Sequence, residues 1–152
     1  MNDIKTVDAR LIHFFQRISM PIARISLFVV FFWFGILKVL GFSPAGALVH
    51  NLYDQTIAFM PFDAFYFCFA LLECIIGILF LIRGLERVVL PLLLLHMIAT
   101  FGPLFLLPQE AWQAPFVPTL TGQYIIKNIV LIAVAISIAA HLHPLASRPL
   151  KS

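Results

Sequence analysis

The sequence predicts an all-α polytopic membrane protein: one domain, a bundle of four transmembrane helices, with an amphipathic helix between the first and the second. Three observations carry this. Of 152 residues, 62% are hydrophobic and only 11% charged, far from the averages of a water-soluble domain. Apolar stretches long enough to cross a bilayer recur at about 21–42, 62–83, 88–107 and 123–142. Lys and Arg gather at one set of their ends. The net charge of +3 could suggest a nucleic-acid partner, but no continuous basic patch exists to bind one. The expected partner of this surface is the lipid bilayer.

The first twenty residues mix Lys5, Arg10 and Arg17 with Leu11, Ile12, Phe14 and Phe15, a pattern that predicts a short helix on the membrane surface. Span one, from about Pro21 to Phe42, is too long for a signal-peptide core and contains Lys38, so it reads as an uncleaved anchor. From Ser43 to Pro61 the apolar residues Leu48, Val49, Leu52, Tyr53, Ile57 and Met60 oppose His50, Asn51, Asp54 and Gln55. That spacing predicts an amphipathic helix, with Ser43 as its N-cap and Pro44 as its first helical residue, lying in the interface or dipping partway as a re-entrant element.

Span two, about Phe62 to Arg83, carries Glu73 near its middle. On a helix Tyr66, Ala70, Glu73, Gly77 and Gly84 follow one another at spacings of 4, 3, 4 and 7, so the acid shares a stripe with small residues and faces the other helices. A charge at this depth costs about 2.5–3.5 kcal/mol on insertion scales, and must be answered from inside the bundle. Span three, Val88 to Leu107, holds His96 at mid-depth, and its Gly102–Pro103 pair predicts a kink near the far end. A loop follows from Pro108 to Gly122, whose Trp112 and Phe116, with Tyr124 beyond it, suit an interfacial aromatic belt. Span four, Gln123 to Leu142, begins with Lys127 and Asn128 and ends in alanines.

Orientation follows from the charges. Lys5, Arg10 and Arg17, then Arg83 and Arg87, then Arg148 and Lys151 fall on one side, and the connections 43–61 and 108–122 have no Lys or Arg. The positive-inside rule therefore places both termini in the cytoplasm.

Each span thus holds an ionisable residue inside its apolar run: Lys38, Glu73, His96 and Lys127, the last followed by Asn128. Glu73 and His96 each lie about 16 Å from the outer edge of their spans and are level; Lys38 and Lys127 lie about 5–6 Å below that edge. Two readings stay open: a lock that fixes helix order, or a polar pocket for a quinone head group, a proton or a small solute. A haem held by two histidines does not fit, because only His96 is at mid-depth. His13, His141 and His143 make a poor metal set, since a spacing of two turns 141 and 143 to different faces. Cys68 and Cys74 are separated by about 9 Å of helix and cannot pair with each other. No self-sufficient catalytic motif is present.

Arg24 followed by FFWFGILKV with Gly35 and Lys38, then LLECIIGILFLIRGL with Glu73, Gly77 and Gly84, then GQYIIKNIVLI with Lys127, resembles the DoxX-like family of small four-helix membrane proteins. The resemblance implies a bundle in the bacterial inner membrane with an amphipathic insertion after the first helix. It also implies work beside soluble or membrane redox partners, in quinone-dependent thiosulfate oxidation or in complexes that manage oxidative stress. The family-matching positions are Arg24, Gly35, Lys38, Glu73, Gly77 and Lys127. The chain lacks the thiol pair of a disulfide-exchanging member. The expected function is a redox-associated subunit offering a quinone-binding or partner-binding pocket. The alternatives are a solute or proton transport module, which in so narrow a bundle calls for a homo-oligomer, and a non-catalytic scaffold.

Overall fold

The computed structural model describes residues 2–56 and 60–142, and their side chains from residue 5 onward. Ile57 of the expected amphipathic helix, and His143, Arg148 and Lys151 of the tail, lie outside the described residues. Four helices are long and apolar enough to cross a membrane: Lys5–Val39, Phe62–Leu81, Glu86–Leu106 and Leu120–Ala139. The protein is a multi-pass, all-α membrane protein.

Helix α1 runs unbroken from Asn2 to Val39. The expected surface helix is therefore the first part of the spanning helix itself, which holds Pro21 in its interior. Proline removes one backbone donor, but in a helix of about 57 Å the remaining bonds carry the chain across the gap. At the other end α1 stops at Val39 rather than at Phe42. Gly41 takes φ +77°, its N–H reaches Lys38 O, and the Phe42 N–H reaches Leu37 O. This pair of bonds is a Schellman termination, and only glycine enters its left-handed position without strain.

Helix α2 (Gly46–Thr56) is the expected amphipathic element, shorter than predicted. Ser43 accepts the Ala45 N–H through its hydroxyl at 3.3 Å, so it caps the turn before the helix. Leu48, Val49, Leu52 and Tyr53 are half-buried, and His50, Asn51, Asp54 and Gln55 are exposed. The Tyr53 ring packs 5.4 Å from Phe62 and 5.3 Å from Phe65, and its hydroxyl donates to Met60 O. Leu52 reaches Gly102 on the far side. Helix α2 thus lies across one end of the bundle.

Helix α3 (Phe62–Leu81) is followed by a tight turn at Gly84, φ +94°, and by α4 (Glu86–Phe101). The kink falls where Gly102 and Pro103 predict it: α4 ends at Phe101, and a short α5 (Pro103–Leu106) continues the span after the break. The stretch 108–122, expected as loop, has structure of its own. Helix α6 (Pro108–Ala111) leads into a small antiparallel hairpin of β1 (Trp112–Ala114) and β2 (Val117–Pro118). Thr119 then caps α7 (Leu120–Ile126): its hydroxyl accepts the Gly122 N–H and donates to Glu110 O at 2.5 Å. That cap starts the fourth span earlier than the Gln123 expected. The span breaks at Lys127 and resumes as α8 (Asn128–Ala139).

Helix α1 packs chiefly along α3, α3 on α4, α4 on α8 and α8 back on α1, which closes the bundle. The connections 40–56 and 107–119 share one end, the connector end; the described termini and the 82–85 turn share the other. Leu27, Phe31, Ile76, Phe80, Val89, Leu93, Met97, Ala135 and Ile138 form a continuous apolar core. The α1–α3 contact is the tightest. A Cβ on Gly35 would lie 2.7 Å from Cys74 Sγ and 2.9 Å from Ala70 O, and one on Gly77 would lie 2.8 Å from Phe32 N. Two glycines, one on each helix, let these backbones approach in a way no side chain permits.

Candidate functional site

Three of the five residues singled out from the sequence meet between α1, α3 and α4. Lys38 Nζ donates to Glu73 Oε2 at 2.6 Å, and His96 Nε2 lies 3.4 Å from Glu73 Oε1. The side chains of Lys38 and Glu73 are each only 7% exposed and that of His96 only 4%, so the charges lie wholly inside the bundle. Gly35 of α1 fits against Ala70 and Cys74 of α3, which puts Lys38 opposite the turn before Glu73. The lysine stem then covers the remaining distance of about 6 Å, one helical turn.

Aromatic rings wall the cluster. The His96 ring stacks on Phe69 at 4.8 Å and meets the edge of Phe31 at 5.6 Å. The Lys38 ammonium lies 5.9 Å from the Phe69 centroid, within reach of a cation–π attraction. In such surroundings an unpaired ammonium or carboxylate would be strongly disfavoured, and each answers the other.

The histidine tautomer follows from its partners. Thr100 donates its hydroxyl proton to His96 O at 3.0 Å, which leaves its oxygen to accept from Nε2 at 3.2 Å. Glu73 Oε1 is a second acceptor facing the same nitrogen. The neutral ring therefore carries its proton on Nε2. Nδ1 is buried and has no hydrogen-bond partner among the described residues, so a lone pair is left pointing into the protein. The result is a line of polar groups in contact, from the Lys38 ammonium through the Glu73 carboxylate and the His96 imidazole to the Thr100 hydroxyl.

Lys127 and Asn128 do not join this cluster. Lys127 is exposed, with its ammonium 4.9 Å from the Tyr124 ring centroid, and the Asn128 amide bonds back to Tyr124 O at 3.4 Å. Both sit at the break between α7 and α8. His50, on α2, stacks edge-on against Phe62 at 4.3 Å and lies 3.4 Å from Asp54. Among the described residues, no group of three His, Cys, Asp or Glu side chains is placed to hold a metal ion. Cys74 is buried, with its thiol donating to Phe32 O at 4.0 Å, and Cys68 is exposed; neither is in a disulfide.

A second ion pair, not foreseen as such, lies near the other end of the bundle. Arg24 donates to Phe80 O at 3.1 Å and to Glu86 Oε1, with side chains 15% and 6% exposed. The guanidinium fork joins the last turn of α3 to the first turn of α4, so α1 clasps the turn between them. The available signal was an arginine three residues inside an apolar run, facing a turn that contains one carboxylate.

Against family models, curated proteins and solved structures, the chain has no match.

Proposed function

We propose that the protein is a DoxX-like subunit of the bacterial inner membrane in which Lys38, Glu73 and His96 form a proton-exchanging pocket for a quinone-type redox partner. The carrying observation is the contact of one mid-membrane carboxylate with both a lysine and a histidine. Structural charge pairing needs only the lysine. A third ionisable group with a free acceptor at Nδ1 gives the set a route for protons, and ionisable residues inside spans mark such routes.

The donor chemistry suits a quinone head group. A quinone carbonyl accepts hydrogen bonds, and the Lys38 ammonium uses one of its hydrogens on Glu73. When bound, the quinone would supply the electron-accepting chemistry. The residues of this chain would orient it and hold or pass the proton between Glu73 and His96. Electrons would come from a partner chain, since no catalytic motif lies in this one. The positive-inside pattern supports an orientation with the connector end outside and the termini in the cytoplasm. The test is extraction of the purified protein for bound quinone, together with electron transfer to quinone in the presence of a candidate partner. Retained quinone that falls in Glu73→Gln and His96→Leu supports the proposal; neither quinone nor transfer would refute it.

One observation favours a second reading, a scaffold. Both carboxylate oxygens of Glu73 are engaged within the bundle, and Arg24 and Glu86 clasp its other end. A scaffold predicts that substitutions in the cluster lower stability and leave partner binding intact.

A further inference from the structure

Helix α1 is far longer than a bilayer requires. Its 38 residues measure about 57 Å, and about 20 suffice to cross the hydrocarbon core. Its first apolar side chains to pack on the core are Met20 and Ala23, and every side chain from Lys5 to Arg17 is exposed. The bundle leaves this segment uncovered.

The segment has one apolar side. Val7, Leu11, Phe14 and Ile18 follow at steps of four, three and four, which holds them within about 60° of arc. Val7, Leu11 and Phe14 are 50–56% exposed. The same stripe runs on into the span as Ile22, Ile25 and Val29, which are exposed there too, while Leu27 and Phe31 on the other side of the helix are buried. The stripe beyond the bundle thus continues the side that α1 turns to lipid.

Cations edge this stripe. Arg10 and Arg17 lie about 40–60° round the helix from Phe14, so their stems can run beside the apolar side while the guanidinium groups reach headgroups. Asp8 is the only carboxylate from residue 5 to residue 23, against Lys5, Arg10 and Arg17. Arg83 and Arg87, which flank the turn between α3 and α4, stand exposed at the same end of the bundle. An apolar stripe bordered by arginines is the pattern of a helix that lies in a headgroup layer. A second copy suits it less, because two segments with three basic side chains and one acid each repel one another. Pro21 stands where the segment meets the packed part of α1. It has no N–H to give to Arg17 O, so the helical ladder lacks a rung there and α1 can bend.

We infer that residues 5–19 of α1 are a docking surface for the anionic headgroups of the leaflet at the end of the bundle that holds the 82–85 turn. Helix α1 bends near Pro21, the stripe of Val7, Leu11, Phe14 and Ile18 enters that leaflet, and Arg10 and Arg17 meet lipid phosphates. The surface is separate from the Lys38–Glu73–His96 pocket and stands whether or not that pocket binds quinone.

Spin labels on the full-length protein in vesicles test this, with Cys68→Ala as background so that the introduced thiol is the accessible one. In vesicles of phosphatidylglycerol and phosphatidylcholine, a label at Phe14→Cys should collide more with dissolved oxygen than with a water-soluble nickel chelate. A label at His13→Cys, on the other side of the helix, should do the reverse. In Arg10→Gln/Arg17→Gln the ratio of lipid-bound to free label at residue 14 should fall about 25-fold, roughly fivefold for each cation removed from an anionic surface. Arg10→Lys/Arg17→Lys should hold it, and pure phosphatidylcholine should release the segment with both arginines in place. That comparison of lipids stands if an arginine variant fails to assemble. A residue-14 label that meets mainly the nickel chelate in both lipids would overturn the assignment, as would binding indifferent to phosphatidylglycerol and to the loss of both arginines. So would dipolar coupling between the residue-14 labels of two chains, since it gives the stripe to a second copy.

Discussion

Lys38 and Glu73 meet at 2.6 Å although their Cα atoms lie at different depths in the bundle. Gly35 sets this offset by seating α1 against Ala70 and Cys74, so that the lysine stem runs along α3 rather than out of the bundle. The bond therefore depends on the helix contact beneath it, and the two can be perturbed separately.

Removing one partner strands the other in an apolar interior. Lys38→Met and Glu73→Leu should each destabilise the protein by about 3–5 kcal/mol, and the double variant Lys38→Met/Glu73→Leu should recover most of that loss. Unfolding of the four proteins in detergent, compared as a double-mutant cycle, measures the coupling. A double variant as unstable as the sum of the singles would show that the residues do not act as a pair.

The glycine contact makes a steric prediction. A Cβ at Gly77 would lie 2.8 Å from the Phe32 nitrogen, and the obstacle is backbone that cannot swing aside. Gly77→Leu should force α1 and α3 apart at a cost of about 1–3 kcal/mol or more. A crosslink placed across the two helices should then form more slowly, while an alanine at Gly46, whose Cβ would meet only the Tyr66 hydroxyl at 3.6 Å, should leave the crosslink unchanged.

Arg24 makes two bonds through different nitrogens, one to Phe80 O and one to Glu86. A lysine there keeps the charge but loses the fork, so Arg24→Lys should weaken the clasp by about 0.5–1.5 kcal/mol, the net worth of one hydrogen bond. Faster amide exchange in the 82–86 turn of that variant is the expected signature. Unaltered exchange would mean that the turn holds itself.

At the tip of the hairpin, Phe116 adopts φ +62° and is 95% exposed, in a position that favours glycine. Phe116→Gly should relieve about 1–2 kcal/mol of backbone strain. If the ring anchors the hairpin in the interface, the same change should lower the protection of Trp112 from aqueous quenchers; unchanged quenching would remove Phe116 from the aromatic belt.

The sequence alone determined the four spans, the break at Gly102–Pro103 and the inward stripe of Glu73. These follow from hydropathy, from proline chemistry and from the helical period, all properties of one segment at a time. It also brought Lys38, Glu73 and His96 into view, but it ranked Lys127 beside them and left Arg24–Glu86 unpaired. Only the tertiary structure decided which cation turns inward. That choice rests on what packs beneath each lysine and on where its helix ends, with Gly35 seated against α3 one turn from Lys38 and the break between α7 and α8 falling on Lys127. Two lysines in similar apolar runs differ because close glycine packing sets one beside a carboxylate, while the other stands exposed over the Tyr124 ring at a helix break.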